Sequence, residues 1–433
     1  MSFRSFASAA VLAVASVLPS AQAAEVAVPA FYAAASQLAP QGKLGAVLAR
    51  QPVATSIPGA QAWRIAYVSS DHRGQPTIST GLVVAPKGKP PAGGRPIVAW
   101  AHGTTGAAQN CGPSQVEDPA QPLNEYFLIG GTSWTDFGIP AVNQFIKAGY
   151  VVVATDYQGL GGGGRSQYMV TSTQAHDTID SIRAAGSLGL AGANRKAAIY
   201  GWSQGAGVTL TAASSPGYVA RTGTAFDGVE LVGFVAMAPP DVAVLAPKGP
   251  LDDAAAQKVL AGMTASFSDS VFNFTHYALT IWATAYAYPQ LKLTDIFTDD
   301  GARAIDEIIS KKCMHAAADT MNYTYGAGFK SLLRDTPRNP QAWVASLIDG
   351  AVPDVKPSAP VVIYFGTRDT AIAPVMGQLY REQMCKAGAN VSRVQLAGEQ
   401  THFSTPGISE PLYLPWLMDR FAGKPAADGC AGG

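Results

Sequence analysis

The stretch AAIYGWSQGAG, residues 197–207, raises the question of why one serine, Ser203, lies between Gly201 and Gly205 directly after an apolar run. The Gly-x-Ser-x-Gly pattern alone is weak, because glycine and serine are common in this chain. Its context is more specific: a predicted buried strand precedes it, and VTLTAASS, residues 208–215, predicts a short helix after it. A strand that turns this sharply into a helix raises the serine hydroxyl above a sheet, and only small residues fit beside it.

Apolar runs elsewhere in the chain predict the sheet around this turn. A hairpin is indicated between Gln61 and Pro86, where apolar and polar residues alternate on either side of a turn at residues 71–76. Six continuous apolar runs follow, separated by longer segments of helical pattern: residues 96–101, 150–155, 197–200, 231–236, 360–365 and 391–396. Continuous apolar strands are buried on both faces, so the sequence predicts an α/β fold with a mostly parallel sheet wrapped by helices.

One interval lacks strand candidates. Between Pro240 and Pro357 the stretches DDAAAQKVLAGM and GARAIDEIISKK have helical spacing. We therefore expect a helical cap, residues 241–350, inserted into a sheet domain of residues 24–240 and 351–433.

The cap segment THYALTIWATAYAYP, residues 275–289, is rich in aromatic residues, among them Tyr277, Trp282 and Tyr286. These side chains either line an apolar substrate pocket or pack the interior of the cap. Large aromatic residues mostly fill cores, which favours the second interpretation for any single residue. The segment as a whole is nevertheless our predicted acyl-binding surface.

A serine hydroxyl becomes a good nucleophile only when a base accepts its proton. In α/β-hydrolases the chain order is serine, acid, histidine, and His402 is the histidine that leaves room for an acid after a late strand. FGTRDTAI places Asp369 just beyond such a strand, whereas Asp354 precedes it and Glu399 shares the loop of His402. We therefore predict Ser203, Asp369 and His402 as the catalytic residues.

When a serine attacks a carbonyl group, the carbonyl oxygen becomes an oxyanion, which backbone N–H groups must stabilise. The first donor is predicted at Gln204, directly after the serine, and the second in the loop HGTTG, residues 102–106, at Thr104. We interpret His102 as a residue that shapes this loop.

Together these motifs make the chain resemble the secretory lipase family of α/β-hydrolases. The resemblance covers about residues 31–421 and is carried by FYAAASQLAPQGKLGAVL, RIAYVSSDHRGQPTISTGLVVAP, VAWAHGTTG, VVVATDYQGLG, YGWSQGAG, FGTRDTAI and the THF around His402. It implies ester hydrolysis by Ser203, Asp369 and His402, under a cap that covers an acyl-binding tunnel. One stretch departs from the family pattern: GGGGRSQYMV, residues 161–170, stands where a proline-containing turn is usual.

The amino terminus, MSFRSFASAAVLAVASVLPSAQAAEV, has the features of a secretory signal peptide. An early Arg4 precedes an apolar stretch of residues 7–18 and the small-residue site Ala21-Gln22-Ala23. We predict that residues 1–23 are removed and that the mature protein is extracellular or periplasmic. The apolar stretch is shorter than the roughly 20 residues that span a bilayer, which argues against an anchor helix.

Export would place the four cysteines, Cys111, Cys313, Cys385 and Cys430, in an oxidising compartment. None has metal-ligand spacing, so we predict two disulfides, for which three pairings are possible. We favour Cys111 with Cys313, which would tie the loop on the oxyanion side to the cap. The second pair, Cys385 with Cys430, would tie the carboxyl-terminal tail to the helix after the acid.

Charge and composition exclude several classes of partner. The chain has 30 basic and 30 acidic side chains, and its formal charge of zero argues against binding to nucleic acid or to an anionic membrane. We predict no cofactor, no metal and no obligate protein partner. We expect the protein to bind an ester substrate and to make a transient contact with a lipid interface through the cap.

Two features of the sequence bear on classes of function other than a hydrolase. GLGGGG, residues 159–164, followed by Asp180, fits a dinucleotide-binding pattern. However, the helix is predicted to begin only near Thr171, too late for its N-terminus to face a pyrophosphate. A non-catalytic binding protein of hydrolase fold is disfavoured, because serine, acid, base and oxyanion loop are all present.

Within the hydrolases, lipase, esterase, polyester hydrolase and serine peptidase share the predicted residues. The apolar cap favours acyl esters over peptides. We therefore predict a secreted carboxylic-ester hydrolase acting on triacylglycerol or related acyl esters, with polyester hydrolase or serine peptidase as the alternatives.

Overall fold

The computed structural model describes residues 29–431, so the predicted signal peptide lies outside the described residues. Within that range the centre of the molecule is a nine-stranded sheet in the order β1-β2-β3-β5-β4-β6-β7-β8-β9. The strands are β1 Val47–Val53, β2 Ala60–Ser70, β3 Pro76–Pro86, β4 Ile97–Ala101, β5 Val151–Thr155, β6 Lys196–Trp202, β7 Glu230–Met237, β8 Val361–Phe365 and β9 Val391–Gln395. Strands β4 to β9 pair in parallel, and β1, β2, β3 and β5 pair antiparallel in that order. The fold is the predicted α/β fold with a mostly parallel sheet.

The helices of the described range cover both faces of this sheet and the carboxyl ends of its parallel strands. They are α1 Ala30–Ala35, α2 Val142–Lys147, α3 Thr171–Ser187, α4 Gln204–Ala213, α5 Pro216–Val219, α6 Asp253–Ser266, α7 Val271–Ala287, α8 Leu293–Ile296, α9 Asp299–Ile309, α10 Met314–Tyr325, α11 Pro340–Gly350, α12 Val375–Lys386 and α13 Thr405–Phe421. Short 3-10 turns lie at Gln109–Cys111, Pro113–Gln115, Ala243–Leu245 and Gly326–Leu332. Within the described residues, no helix is long and apolar enough to cross a membrane.

Burial on both faces explains the continuous apolar strands. Along β4, Ala99 belongs to the core under α3, α4 and α12, whereas its neighbours Val98 and Trp100 belong to the core under α2 and α13. Because successive side chains of a strand point to opposite faces, each residue of such a strand must be apolar. All six predicted apolar runs are strands of this sheet.

The antiparallel end of the sheet contains one strand that was not predicted. The predicted hairpin is present as β2 and β3, which pair from Ala60 with Pro86 to Ser70 with Pro76. Strand β1 adds to its outer edge. Its sequence VLARQPV has no apolar alternation, and Arg50, Gln51 and Pro52 are exposed. An edge strand needs no buried second face, so its sequence carries little of the usual signal.

The segment between β7 and β8 forms a second core. The predicted cap range 241–350 holds helices α6 to α11, and their buried residues form a separate cluster built around large aromatic side chains, among them Phe274, Tyr277, Trp282, Phe297 and Trp343. Both disulfides predicted from the sequence are present, with Cα–Cα distances of 5.4 Å for Cys111–Cys313 and 5.6 Å for Cys385–Cys430. The first joins the loop after β4 to the start of α10, and so ties the cap to the sheet.

Candidate active site

Ser203 occupies a strained turn between β6 and α4. Its φ of 55° and ψ of −124° lie in a region that residues with a side chain rarely adopt. A Cβ atom at Gly205 would lie 1.9 Å from the carbonyl oxygen of Ala101, and one at Gly201 would lie 2.2 Å from the carbonyl oxygen of Gly205. The two glycines therefore flank the serine because the turn brings backbone against backbone at both positions.

The three predicted catalytic side chains meet at the carboxyl ends of β6, β8 and β9. The Ser203 hydroxyl donates to His402 Nε2 at 2.8 Å, and His402 Nδ1 donates to Asp369 Oδ2 at 2.8 Å. All three residues are buried. In this arrangement the carboxylate fixes the ring so that Nε2 is the acceptor for the serine proton, as serine nucleophiles require.

The neighbours of these side chains hold them in place. Asp369 Oδ1 accepts hydrogen bonds from the backbone N–H groups of Ala371 at 3.0 Å and Ile372 at 2.8 Å. The indole N–H of Trp202 donates to the carbonyl oxygen of His402 at 3.0 Å. Each side chain is thus positioned by short loops that follow directly on a strand.

The two rival acids lie elsewhere. Asp354 faces Lys248 at 3.8 Å, and Glu399 forms an ion pair with Arg368 at 2.6 Å. Both carboxylates are largely exposed to solvent. Neither is hydrogen-bonded to His402.

The predicted oxyanion donors lie against the same cavity as the serine. Gln204 is the first residue of α4, where a backbone N–H has no partner within its own helix. Thr104 follows β4, and its side-chain hydroxyl is 2.8 Å from the Tyr168 hydroxyl. Both residues line the cavity together with Ser203.

His102 is held within its loop and does not line this cavity. Its Nδ1 donates to the carbonyl oxygen of Gly103 at 2.6 Å, and its ring packs on Tyr157 with a centroid distance of 4.4 Å. Burial lowers the pKa of His102 to about 4, so the ring is neutral at ordinary pH. This placement agrees with its interpretation as a loop-shaping residue.

The cavity lies between the sheet and the cap. Its walls are mostly apolar, with a smaller number of polar groups, and the cap contributes Met263, Phe267, Phe272, Asn273, His276, Thr280, Thr284, Met314, His315, Ser346 and Leu347. Among the described residues that line it, Asp136 is the only carboxylate and there is no lysine or arginine. An enclosed apolar space with a few polar groups is typical of a small-molecule site.

The three aromatic residues predicted to bind substrate lie outside this cavity, which corrects that expectation. Tyr277 is buried in the cap core and its hydroxyl is 2.9 Å from Thr264 Oγ1. Trp282 is buried too, and donates to Asp306 Oδ1 at 2.8 Å, while Tyr286 is 41% exposed. Helix α7 turns a different face to the cavity: its lining residues are at 272, 273, 276, 280 and 284, a spacing that keeps them on one side of the helix.

The glycine-rich loop that departs from the family pattern forms part of the wall and of the cap contact. A Cβ atom at Gly162 would lie 2.5 Å from the carbonyl oxygen of Ile78, so the loop packs closely on the sheet. Arg165 forms an ion pair with Asp306 at 2.5 Å, and Tyr168 and Met169 line the cavity. Helix α3 begins at Thr171, as predicted, so no helix starts at these glycines.

Sequence reasoning missed the polar residues of the cavity wall, chiefly Asp136, His276 and His315. A signal for His276 was present, since His276, Thr280 and Thr284 form a polar stripe with a spacing of four on an otherwise apolar helix. Asp136 and His315 come from two separate segments, and nothing local in their sequence indicates that they meet.

The strand order, the turn at Ser203 and the Ser–His–Asp arrangement define an α/β-hydrolase fold. Residues 131–429, more than half of the chain, match the family model described as Secretory lipase. The chain therefore belongs to the secretory lipase family.

Individual relatives agree with this assignment. Lipase 9 of Candida albicans is 25% identical over 391 residues, which cover 85% of this chain and 75% of that protein. A Mycobacterium tuberculosis protein named probable inactive lipase is 23% identical over 380 residues, with the same coverage. At least one relative of this chain thus carries a name that denies it activity.

Solved structures share the fold at low identity. The closed state of Candida antarctica lipase A superimposes with a TM-score of 0.67 at 18% identity, over 90% of this chain and 85% of that chain. A ligand-bound form of the rice cell wall degrading esterase LipA from Xanthomonas oryzae gives a TM-score of 0.64 at 17% identity, over 89% of this chain and 100% of that chain.

Proposed function

We propose that this protein is a serine carboxylic-ester hydrolase, a lipase or esterase, that works through an acyl-enzyme. The observation that carries the proposal is the chain of two 2.8 Å hydrogen bonds from Ser203 through His402 to Asp369. Ser203 and His402 line a mostly apolar cavity between the sheet and the cap. Membership of the secretory lipase family supports the same reaction.

The proposed reaction has two halves. His402 Nε2 takes the proton of Ser203 as its oxygen attacks the ester carbonyl, and the N–H groups of Gln204 and Thr104 stabilise the oxyanion. His402 then gives the proton to the leaving alcohol, and the acyl group stays on Ser203. Water repeats the sequence and releases the acid, while Asp369 stabilises the positive charge on the imidazole ring in both halves.

The cavity supports small acyl esters over the two alternatives. Ser203 is only 8% exposed, and helices of the cap cover it. A polyester or a peptide must thread a continuous polymer chain past the nucleophile, and the cap helices that line the same cavity as Ser203 hinder this. The apolar walls suit an acyl chain, because each buried methylene contributes about 0.8 kcal/mol.

Export and contact with a lipid interface belong to the same proposal. Two disulfides suit an oxidising compartment. Exposed apolar side chains lie on the cap at Tyr323 and beside it on the loop of Phe127, Leu128 and Ile129, where Phe127 packs 4.8 Å from Phe403. Such a surface near the cavity suits brief contact with aggregated ester.

The test is Ser203→Ala, assayed with p-nitrophenyl esters of increasing acyl length and with a fluorophosphonate probe. We expect kcat to fall by about 10³-fold or more, labelling to disappear, and the circular dichroism melting curve to stay unchanged. Near-normal activity of the variant would exclude Ser203 as the nucleophile. A wild-type protein that takes no label and cleaves no ester would instead be a non-catalytic member of the fold.

A further inference from the structure

Three polar side chains form a patch in the wall of the cavity that holds Ser203 and His402. Asp136 comes from the loop before α2, His276 from α7 and His315 from α10. Asp136 and His315 are each only 6% exposed. They lie in a cavity whose remaining lining is largely apolar.

His276 offers a hydrogen-bond acceptor to this cavity. Its Nδ1 is 3.0 Å from the carbonyl oxygen of Phe272, which can only accept, so Nδ1 carries the proton. Burial, together with the smaller effects of the nearby His402 and His315, lowers the pKa of His276 to about 4. The ring is therefore neutral, and Nε2 is left as an acceptor.

His315 is held by stacking instead of hydrogen bonds. Its ring lies parallel to that of Tyr126 at a centroid distance of 4.2 Å and meets Phe127 edge-on at 4.3 Å. Within residues 29–431 neither of its buried ring nitrogens has a hydrogen-bond partner. Nε2 is 3.8 Å from Asp136 Oδ1, which is too long for a hydrogen bond.

A purely hydrocarbon substrate would leave both ring nitrogens of His315 unpaired, at a cost of about 1–3 kcal/mol for each buried group. It would also offer no donor to His276 Nε2 or to Asp136, whose Oδ1 already accepts a hydrogen bond from the backbone N–H of Tyr126 at 2.6 Å. Asp136 and His276 Nε2 can only accept, and His315 has one accepting nitrogen when neutral. The patch therefore requires a ligand with hydrogen-bond donors. Because the acceptors lie on three separate segments, and Asp136 already has His315 as a neighbour, they suit several hydroxyl groups better than one ammonium group.

The patch lies on the side of the leaving group. His402 protonates the leaving oxygen in the proposed reaction, so the alcohol part of the ester lies on the His402 side. The patch adjoins His402, because Phe127 meets His315 edge-on at 4.3 Å and lies 4.8 Å from Phe403, the residue directly after His402.

We propose that Asp136, His276 and His315 bind hydroxyl groups on the alcohol part of the ester, so that partial esters of polyols are preferred over simple alkyl esters. This inference rests on the proposed ester hydrolysis. It assigns these residues to substrate specificity and leaves the steps of the reaction unchanged.

The test compares two soluble substrates that share an acyl group and a three-carbon alcohol: 2,3-dihydroxypropyl butanoate and propyl butanoate. We expect the wild-type protein to favour the first by at least about tenfold in kcat/KM, because a site built for hydroxyl groups rejects an analogue without them. If neither ester is cleaved, the proposed function itself fails. If both are cleaved with equal kcat/KM, only the present inference is overturned.

Two variants test whether the preference for the dihydroxypropyl ester depends on His315. His315→Phe keeps the ring stacked on Tyr126 but removes both nitrogens, and should reduce the preference about tenfold, mainly through the KM of the dihydroxypropyl ester. His315→Gln restores polar atoms and should recover part of it. An unchanged preference in His315→Phe would overturn the assignment.

The matched control is His176→Phe. His176 is likewise stacked on a tyrosine, at 3.7 Å from Tyr218, but does not line the cavity. It should leave the preference unchanged, and a similar loss in this variant would count against the proposal. A stronger preference of the wild-type protein for 2-(trimethylammonio)ethyl butanoate than for the dihydroxypropyl ester would overturn the choice of hydroxyl groups.

Discussion

The carboxyl edge of the sheet and the cap face each other across one cavity, but they build their walls in different ways. At the sheet edge, Ser203, Asp369 and His402 follow β6, β8 and β9 on short loops whose backbone fixes each side chain. In the cap, large aromatic side chains such as Tyr277 and Trp282 turn inward to a core of their own, and a different face of the same helices, which mixes apolar and polar residues, meets the cavity.

The proposed reaction therefore depends on groups that the sheet edge fixes, whereas the proposed choice of substrate depends on the cap. The residue that follows a strand of a sheet is placed within narrow limits, because the sheet fixes the position and direction of the strand's end. A helix of the cap can present any face, and which face meets the cavity depends on how the cap core packs. We therefore expect substitutions at the sheet edge to remove activity, and substitutions in the cap to change stability or selectivity.

The largest effect should come from Asp369→Asn. The amide would still fit the site, but it would no longer stabilise the imidazolium or fix the correct tautomer of His402, so kcat should fall by about 10³- to 10⁴-fold. The measurement is ester hydrolysis by the folded, purified variant. Asp354→Asn and Glu399→Gln are the controls, because both carboxylates pair with surface cations away from His402. If Asp369→Asn stayed active and one of the two controls lost activity, the residue replaced in that control would be the catalytic acid.

The same contrast explains what the sequence could predict. The six apolar runs, the hairpin and the positions of Ser203 and Asp369 depend on local patterns: apolar continuity, a glycine on either side of the serine and an acid just after a strand. His402 follows from its place after that acid in the chain. These features act over a few residues, so they are visible in one chain. Strand β1 was missed because an exposed edge places few demands on its side chains.

The cap could not be predicted to the same depth. Helical spacing located its helices, but Tyr277, Trp282 and Tyr286 were assigned to the substrate because they are large and close together in sequence. Their actual places depend on contacts with distant residues, such as Asp306 for Trp282. Asp136 and His315 meet only in the folded molecule, 179 positions apart in sequence.

The second prediction compares two residues of α7, Trp282 in the cap core and Thr280 in the cavity wall. Trp282→Ala should lower the free energy of unfolding by about 3–5 kcal/mol and leave the ratio of kcat/KM for octanoyl and acetyl p-nitrophenyl esters unchanged. Thr280→Phe should fill acyl space and lower that ratio about tenfold, the effect of one or two methylenes. If Trp282→Ala changed the ratio on folded protein instead, the division between core and wall faces would be wrong.

The third prediction concerns the two disulfides, of which only one joins the two regions. Replacing either pair with alanines should lower the free energy of unfolding by about 2–5 kcal/mol. Removing Cys111–Cys313 should also reduce kcat at least about fivefold, since Met314 N–H donates to the carbonyl oxygen of Thr105, next to the oxyanion loop residue Thr104. Removing Cys385–Cys430 should leave kcat unchanged. Equal kcat in both variants would mean that the cap needs no covalent tie to hold the loop.

The smallest expected effect is on the pH dependence of stability, and it tests whether the sheet and the cap unfold together. His176, against α5 on the sheet side, and His276, on the cap helix α7, both have a pKa lowered to about 4, chiefly by burial. The unfolded value is about 6.5, so the folded protein binds fewer protons. The stability that each contributes is therefore complete above pH 6.5 and is lost as the pH falls towards 4, by up to about 3 kcal/mol.

His176→Phe and His276→Phe should each flatten the fall in stability between pH 6.5 and 4, measured by urea unfolding at several pH values. Burial also raises the pKa of Asp156 to about 6 and of Asp177 to about 7, which makes stability fall with rising pH, but these groups are the same in every variant. If sheet and cap unfold as one unit, both substitutions change the same transition. If the cap unfolds first, only His276→Phe changes the early transition, and the disulfide Cys111–Cys313 would then hold together two regions that are separately stable.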